Sequence, residues 1–589
     1  MDIEVPVENP RSFSHITRNK RHLLKLETIL INVYYPASRD SGLGKDPAGY
    51  KHWSRETWLP RPRNSTAVGF GKYSGIGPGL VPFMAATSML TKIPAYRNAP
   101  PARHWPPDKK SYSAGFQVKS EDGPPPEGQD DEPTFPLLIF SHGLGGTRTV
   151  YSSLCGEFAS YGFVVCAIEH RDGSCVRTFV NHPKEGEGSI DDIEKKAKEP
   201  IEHSDKQRKK NFDNIDYIWP QGNAWDTSPN NEKGIDDELR EAQIEMRLAE
   251  IEAAYHVLRK IGTGRGEDVA KANLRRKGFR GGSSRGLEGV DWARWKGVFH
   301  LDGATMLGHS FGAATTVNVL RNPERFDWIK QGVMYDIWGA PIKTEGEKHR
   351  PISCPLLGIN SEAFMYWQKN LDTVTHLTRE VREQGIPAWL LTIRGTVHVS
   401  QCDFSLLYPH LCTLFMKMSV NPKRAVDLNV SATLEFLKAI MPERTAIIAR
   451  TLESEDILGI PPLEDVPDEH KPDQKFIGGR LKIPNEFRAR VVPKLERVIK
   501  RQTNEVKAEN EVWMHISTTQ EEVQEWTRNS RHAKKNLEAT QSADESQTTI
   551  AMSEGQGLDN DVDAPTQHAR MLNGQTLNLE PEDGTPTPA

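Results

Sequence analysis

The chain has 589 residues, 37% hydrophobic and 26% charged, with 75 Lys and Arg against 80 Asp and Glu and a net charge of −5. That is ample chain for a sizeable core; the mild acidity, with scattered basic residues, excludes an overall nucleic-acid footprint. Six cysteines are too few for a disulfide scaffold, and no run of about 18 apolar residues marks a transmembrane helix. The start, Met1-Asp2-Ile3-Glu4-Val5-Pro6, lacks the basic and apolar regions of a leader and a myristoylation glycine. A cytoplasmic protein, peripheral to membranes at most, is expected.

Thr28-Ile29-Leu30-Ile31-Asn32-Val33-Tyr34-Tyr35-Pro36 is a β-branched and aromatic run closed by proline, which predicts an early strand. Residues 98–134 are rich in Pro and Gly and predict a loop insertion. Phe135-Pro136-Leu137-Leu138-Ile139-Phe140 predicts a strand running into Ser141-His142-Gly143-Leu144-Gly145-Gly146. Helical spacing over 149–161 and an apolar run over 162–168 follow. Residues 172–235 read as a polar surface insertion; its basic run Lys206-Gln207-Arg208-Lys209-Lys210 is flanked by acids and reads as solvated. From 236 to 261, Leu239, Ile244, Leu248, Ile251, Val257, Leu258 and Ile261 recur at helical spacing. Residues 262–296 are basic and Gly-rich and read as another surface insertion.

Gly303–Leu307, residues 332–336, 354–359 and 388–393 predict further strands, and Ala313–Val317 a helix. The alternation predicts an α/β fold: a mostly parallel central sheet with helices on both faces. The expected organisation is a catalytic domain over 1–420 carrying the three insertions, a C-terminal extension over 421–500, and a largely disordered tail over 501–589.

Gly308-His309-Ser310-Phe311-Gly312 stands between the strand and helix flanking it, the setting of a nucleophile elbow. A serine hydroxyl needs an imidazole base, and the imidazole needs a carboxylate to fix its tautomer. In α/β-hydrolases they follow in the order Ser, acid, His. Asp336 ends the first apolar run after the elbow, and His398 follows the strand at 388–393. Asp327 and Glu324 are rival acids in a polar segment. Ser310, Asp336 and His398 are therefore the expected catalytic set. An oxyanion needs backbone N–H donors; Phe311 and Leu144 are the expected ones. His142 and Trp338 are candidate walls of the substrate pocket. This chemistry calls for no metal or organic cofactor.

Ser141–Gly145, Arg148-Thr149-Val150-Tyr151-Ser152, Glu169-His170-Arg171-Asp172-Gly173-Ser174, the elbow, Asp336-Ile337-Trp338 and Arg394-Gly395-Thr396-Val397-His398 with Asp403-Phe404 resemble the platelet-activating factor acetylhydrolases of the plasma and type II intracellular group. The resemblance spans roughly residues 25–420. It implies an α/β-hydrolase with calcium-independent phospholipase A2 activity, the triad Ser310, Asp336 and His398, and phospholipids with short or oxidised sn-2 acyl chains as substrates. A triacylglycerol lipase, a cutinase-like polyesterase and a non-catalytic interaction module remain the alternatives. Two apolar segments, Leu80–Leu90 and Phe404–Met416, are candidate faces for docking on a lipid surface.

Overall fold

The apolar runs become the buried strands of one sheet. In the computed structural model, which describes residues 1–108, 122–224, 226–229, 231–343, 350–465 and 511–531, that sheet has nine strands. In chain order they are β1 Asp2–Ser12, β2 Lys25–Tyr34, β3 Leu137–Ser141, β4 Val164–Ile168, β5 Ala304–His309, β6 Ile329–Tyr335, β7 Leu356–Ser361, β8 Ala388–Ile393 and β9 Val512–Ile516. Their spatial order is β1-β2-β4-β3-β5-β6-β7-β8-β9. The six strands from β4 to β8 in this order are parallel to one another, whereas β2 runs antiparallel to both β1 and β4, and β9 to β8.

Five helices cover the sheet: α1 Ser152–Ser160, α2 Asp237–Gly262, α3 Phe311–Leu320, α4 Gln368–Glu383 and α5 Pro422–Ile440. One core joins α2, α3 and α4 to Ile31, Ile139, Cys166 and Met306. The other joins α1 and α5 to Leu138, Phe140, Val165 and Leu307. Neighbouring strand residues such as Leu138 and Ile139 thus enter opposite cores, as the two-residue period requires. This is the α/β-hydrolase arrangement, with burial on both faces explaining the unbroken apolar runs.

The structure departs from the sequence expectations at the sheet edges and in the insertions. β1 carries Pro6 and Pro10, which an edge strand tolerates, and its register slips between Pro6 and Arg11. β9 lies within the stretch expected to be a disordered tail; Val512 and Met514 are buried there, and residues 520–527 are helical. A five-residue strand among polar neighbours carries too little periodicity to stand out. The domain boundary expected at 420 also moves. Leu428, Val430, Ala432, Leu434 and Phe436 of α5 are fully buried in the core, so the helix is a layer of the catalytic unit. Residues 109–121 of the first insertion, 466–500 of the extension and 532–589 of the tail lie outside the described residues.

The expected surface insertions contain regular structure. Strand Arg177–Asn181 pairs with Phe212–Asp216 inside the 172–235 segment, and helix Gly266–Ala272 lies inside 262–296. Arg275, from the basic run of the latter, is buried. Its Nε donates to Asp2 Oδ2 at 2.9 Å, while Arg148 Nε donates to Asp2 Oδ1 at 3.1 Å and Arg148 Nη1 to Glu169 Oε2 at 2.5 Å. Burial alone would raise the Asp2 pKa, but Arg148 and Arg275 override it and hold the carboxyl well below the usual range.

Asp2 therefore contributes stability that is fully present above the unfolded carboxyl pKa and is lost as pH falls towards the depressed folded value. Asp2→Asn leaves two buried guanidinium groups short of a counter-charge and is expected to cost about 3–5 kcal/mol at neutral pH. Urea unfolding checks this, and the gap between variant and wild type should narrow as the pH falls below about 4.

Candidate active site

β5 delivers Ser310 into a sharp turn at the start of α3. Its backbone sits at φ +57° and ψ −120°, a region that costs a non-glycine residue about 1–3 kcal/mol. The neighbouring glycines are required by close approach. A Cβ on Gly308 would lie 2.0 Å from Gly312 O, and one on Gly312 would lie 2.0 Å from Ser141 O. A Cβ on Gly143 would stand 2.8 Å from Ser310 Cβ. The Ser141–Gly145 loop is therefore seated directly against the elbow.

Asp336 follows β6 and is fully buried, with φ +45°. It accepts hydrogen bonds from Ser361 N at 2.7 Å, Ser361 Oγ at 2.8 Å and His398 Nδ1 at 2.6 Å. A carboxylate so bonded fixes the proton on Nδ1 and leaves Nε2 as the basic nitrogen. The His398 ring stacks on Phe364 at 4.2 Å and 4°, and its centroid lies 4.5 Å from that of His309. Backbone bonds tie the elbow to the acid loop: Ser310 N donates to Tyr335 O at 3.0 Å and Trp338 N to Ser310 O at 3.3 Å. The structure thus joins the expected acid to the expected base. Among the described residues Ser310 Oγ makes no hydrogen bond, so the serine–histidine contact is not made.

A chain of hydrogen bonds links the glycine loop to the histidine loop. Gly143 N donates to Tyr151 Oη at 3.2 Å, Tyr151 Oη lies 2.8 Å from His309 Nδ1, and His309 Nε2 lies 3.0 Å from His398 O. Burial, and after it the neighbouring His398, holds the His309 pKa well below the ordinary value, so the ring is neutral. A carbonyl can only accept, so the His309 proton sits on Nε2 and Tyr151 donates to Nδ1. Sequence reasoning missed Tyr151, His309, Ser361 and Phe364 as site residues. Tyr151 and His309 do fall in the blocks that carry the family resemblance; Ser361 and Phe364 carry no such signal.

Asp403 fastens the histidine loop from behind. Its carboxylate accepts from Ser152 N at 2.9 Å, Ser152 Oγ at 2.6 Å and Ser153 N at 3.0 Å, all at the start of α1, and from Ser153 Oγ. Asp403 N donates to Val150 O at 2.8 Å.

The expected oxyanion donors flank Ser310. The Phe311 N–H opens α3, where helical N–H groups lack intrahelical acceptors. The Leu144 N–H has no acceptor among the described residues, while Leu144 O accepts from Tyr73 Oη at 3.4 Å. Gly145, at φ +74°, donates its N–H to Ser174 O at 2.8 Å and turns the loop. The two expected pocket walls, His142 and Trp338, are both buried. His142 is fully buried, with Nδ1 2.8 Å from Gly143 O and Nε2 accepting from His170 N at 3.1 Å. Burial pushes its pKa down to about 3. Its ring braces the loop from inside and faces no cleft. Trp338 is 2% exposed and packs on the Phe311 ring with the Arg240 guanidinium 5.4 Å above it. It belongs to the packing behind the nucleophile.

Residues 126–444 match the family described as platelet-activating factor acetylhydrolase, isoform II. The platelet-activating factor acetylhydrolase of Gallus gallus is 31% identical over 307 residues, 52% of this chain and 61% of that one. That of Bos taurus is 29% identical over 309 residues, 52% of this chain and 56% of the relative. The chain thus spans about three fifths of the length of these curated relatives. The family match takes in more than half of the chain, from before β3 to beyond α5, and encloses Ser310, Asp336 and His398: the chain belongs to the platelet-activating factor acetylhydrolase, isoform II, family.

Proposed function

We propose that this chain is a serine esterase that hydrolyses the sn-2 acetyl, or short or oxidised acyl, ester of platelet-activating-factor-like phospholipids. The observation that carries the reading is the buried Asp336–His398 pair, at 2.6 Å, beside a serine on a strained strand-to-helix turn, in a member of this family. Ser310 Oγ attacks the ester carbonyl and His398 Nε2 takes its proton. Asp336 orients the ring and stabilises the imidazolium. The Leu144 and Phe311 N–H groups receive the oxyanion. His398 returns the proton to the leaving lysophospholipid oxygen, and water, activated by the same ring, releases the acyl group. The Ser310–His398 hydrogen bond forms in the reacting complex. None of these steps uses calcium.

The substrate comes from a lipid surface, and two apolar segments support docking there. Phe415 is 72% exposed and Leu414 54% exposed on helix Pro409–Met416. Phe83 of helix Leu80–Thr87 stacks on Tyr408 at 5.5 Å, placing the two segments side by side. Exposed apolar side chains so grouped mark an interaction surface. No helix among the described residues is long and apolar enough to cross a membrane. All six cysteines are free thiols, which supports the cytoplasmic side as the place of action.

Wild-type protein should release acetate from 1-alkyl-2-acetylglycerophosphocholine with a calcium chelator present, and cleave the long-chain phosphatidylcholine poorly. Ser310→Ala should lower that rate by about 10⁴-fold or more and abolish fluorophosphonate labelling. Serine-dependent activity on long-chain or neutral esters alone would move the chain to another lipase activity. Tyr151→Phe removes the hydroxyl joining Gly143 to His309; kcat should fall by about 10–100-fold with KM little changed, measured by steady-state kinetics. Leu414→Asp with Phe415→Asp should weaken sedimentation with phosphatidylcholine vesicles while leaving hydrolysis of soluble p-nitrophenyl acetate intact.

A further inference from the structure

Away from the catalytic groups, one buried cluster is made of metal-binding residue types. Glu27 lies on β2, His182 just past strand Arg177–Asn181, and His203 between helices Ile190–Lys196 and Asp205–Lys210. Three separate stretches of chain thus converge. The side chains of both histidines are fully buried and that of Glu27 is 2% exposed. His203 Nε2 lies 2.9 Å from Glu27 Oε1, and His182 Nε2 lies 3.4 Å from Glu27 Oε2. One donor atom from each residue falls within 4.8 Å of the others. Donor atoms about 2.0–2.1 Å from a tetrahedral zinc ion stand roughly 3.3 Å apart, which matches these separations.

Both histidines lie close enough to Glu27 to share hydrogen bonds with it, yet well-aligned hydrogen bonds do not complete the cluster. Glu27 Oε1, His203 Nε2 and both ring nitrogens of His182 are buried without a hydrogen-bond partner. Lys25 Nζ, 3.2 Å from Glu27 Oε1, balances the carboxylate charge but leaves both His182 nitrogens unserved. A metal ion accepting one lone pair from each imidazole gives His182 Nε2 and His203 Nε2 a partner. The far nitrogen of His203, Nδ1, meets Glu194 Oε1 at 2.9 Å. A carboxylate behind a ligand histidine is the usual device that fixes its tautomer and aims the ligating nitrogen.

We propose that Glu27, His182 and His203 bind one divalent transition-metal ion, zinc, which staples residues 182–203 to β2 of the central sheet. Two imidazoles and a carboxylate suit zinc, with water as the fourth ligand. The ion is structural and takes no part in ester hydrolysis. The site joins an insertion rich in polar residues to the sheet.

The test uses the full chain. Purified wild-type protein should carry about one zinc per chain by plasma mass spectrometry, as a closed site with a high metal affinity retains it. His182→Ala and His203→Ala should each lose it, while still labelling Ser310 with a fluorophosphonate. Chelation of the wild type should lower Tm, and zinc chloride alone should restore it, which needs no variant to fold. Wild-type protein that carries no zinc and whose Tm ignores both chelator and added zinc overturns the proposal and leaves an ion-paired cluster. Zinc retained equally by the histidine variants also overturns it, since the ion would then sit elsewhere.

Discussion

The proposed catalytic arrangement depends on one steric constraint: the turn at Ser310 has no room for a side chain at Gly308 or Gly312. Gly308 and Gly312 touch each other across the turn, and Gly312 also touches Ser141 of the preceding parallel strand. Gly143 rests on Ser310 itself. These contacts force the serine into a positive-φ conformation that lifts its side chain off the strand. They also press the Ser141–Gly145 loop against the elbow. Geometry that could be lost through a single added methyl group is therefore held by packing over the whole sheet edge.

Buried charge supplies the rest of the support. α2 presents Arg247 beneath the glycine loop, where Nη1 donates to His142 O at 3.0 Å, Nε to Asp172 Oδ2 at 2.7 Å and Nη2 to Ser174 Oγ at 2.6 Å. One turn along, Glu250 meets His170 Nδ1 at 2.5 Å and accepts from Arg171 N at 2.7 Å, and His170 Nε2 reaches Ser141 Oγ at 2.7 Å. Burial raises the Glu250 pKa to about 8 and lowers that of His170, so this pair is held with little charge separation. A serine, a histidine and an acid stand in line here as well, but all three are fully buried. The line holds Ser141 and the backbone around it, and it has no access to substrate.

Much of the fold and the core of the site was legible from short-range pattern. Seven of the sheet's strands stand out as apolar runs, and Ser310, Asp336 and His398 follow from chain order and strand ends. What escaped was set by contacts between distant parts of the chain. Periodicity along α2 marks Leu248 and Ile251 as core and leaves Arg240, Arg247 and Glu250 on its polar face, yet these three are fully buried. The partners of Arg247 and Glu250, at 141–174, lie far away in sequence, and that of Arg240, Asp226, lies in the irregular stretch before the helix. His142 looked like a pocket residue because it adjoins the glycine loop, but its ring is turned inward by His170 N and Gly143 O. β9 was invisible because its pairing partner, β8, lies across a long intervening stretch.

The segment that carries the base also carries the apolar surface. From His398 the chain runs through Asp403, which is locked to the start of α1, to Tyr408 and then directly into helix Pro409–Met416. Tyr408 Oη bonds to Ser88 Oγ and lies 3.3 Å from Thr87 Oγ1, so the two apolar segments share one joint. α1 in turn begins beside Tyr151, whose hydroxyl reaches His309 and Gly143. Under the proposed docking, a lipid surface seating Phe415 and Phe83 would act on elements that are hydrogen-bonded, within a few links, to both the His398 loop and the Ser141–Gly145 loop. The four bonds at the Asp403 carboxylate stiffen this connection, so the proposed docking would orient a bound lipid at Ser310 without loosening the His398 ring.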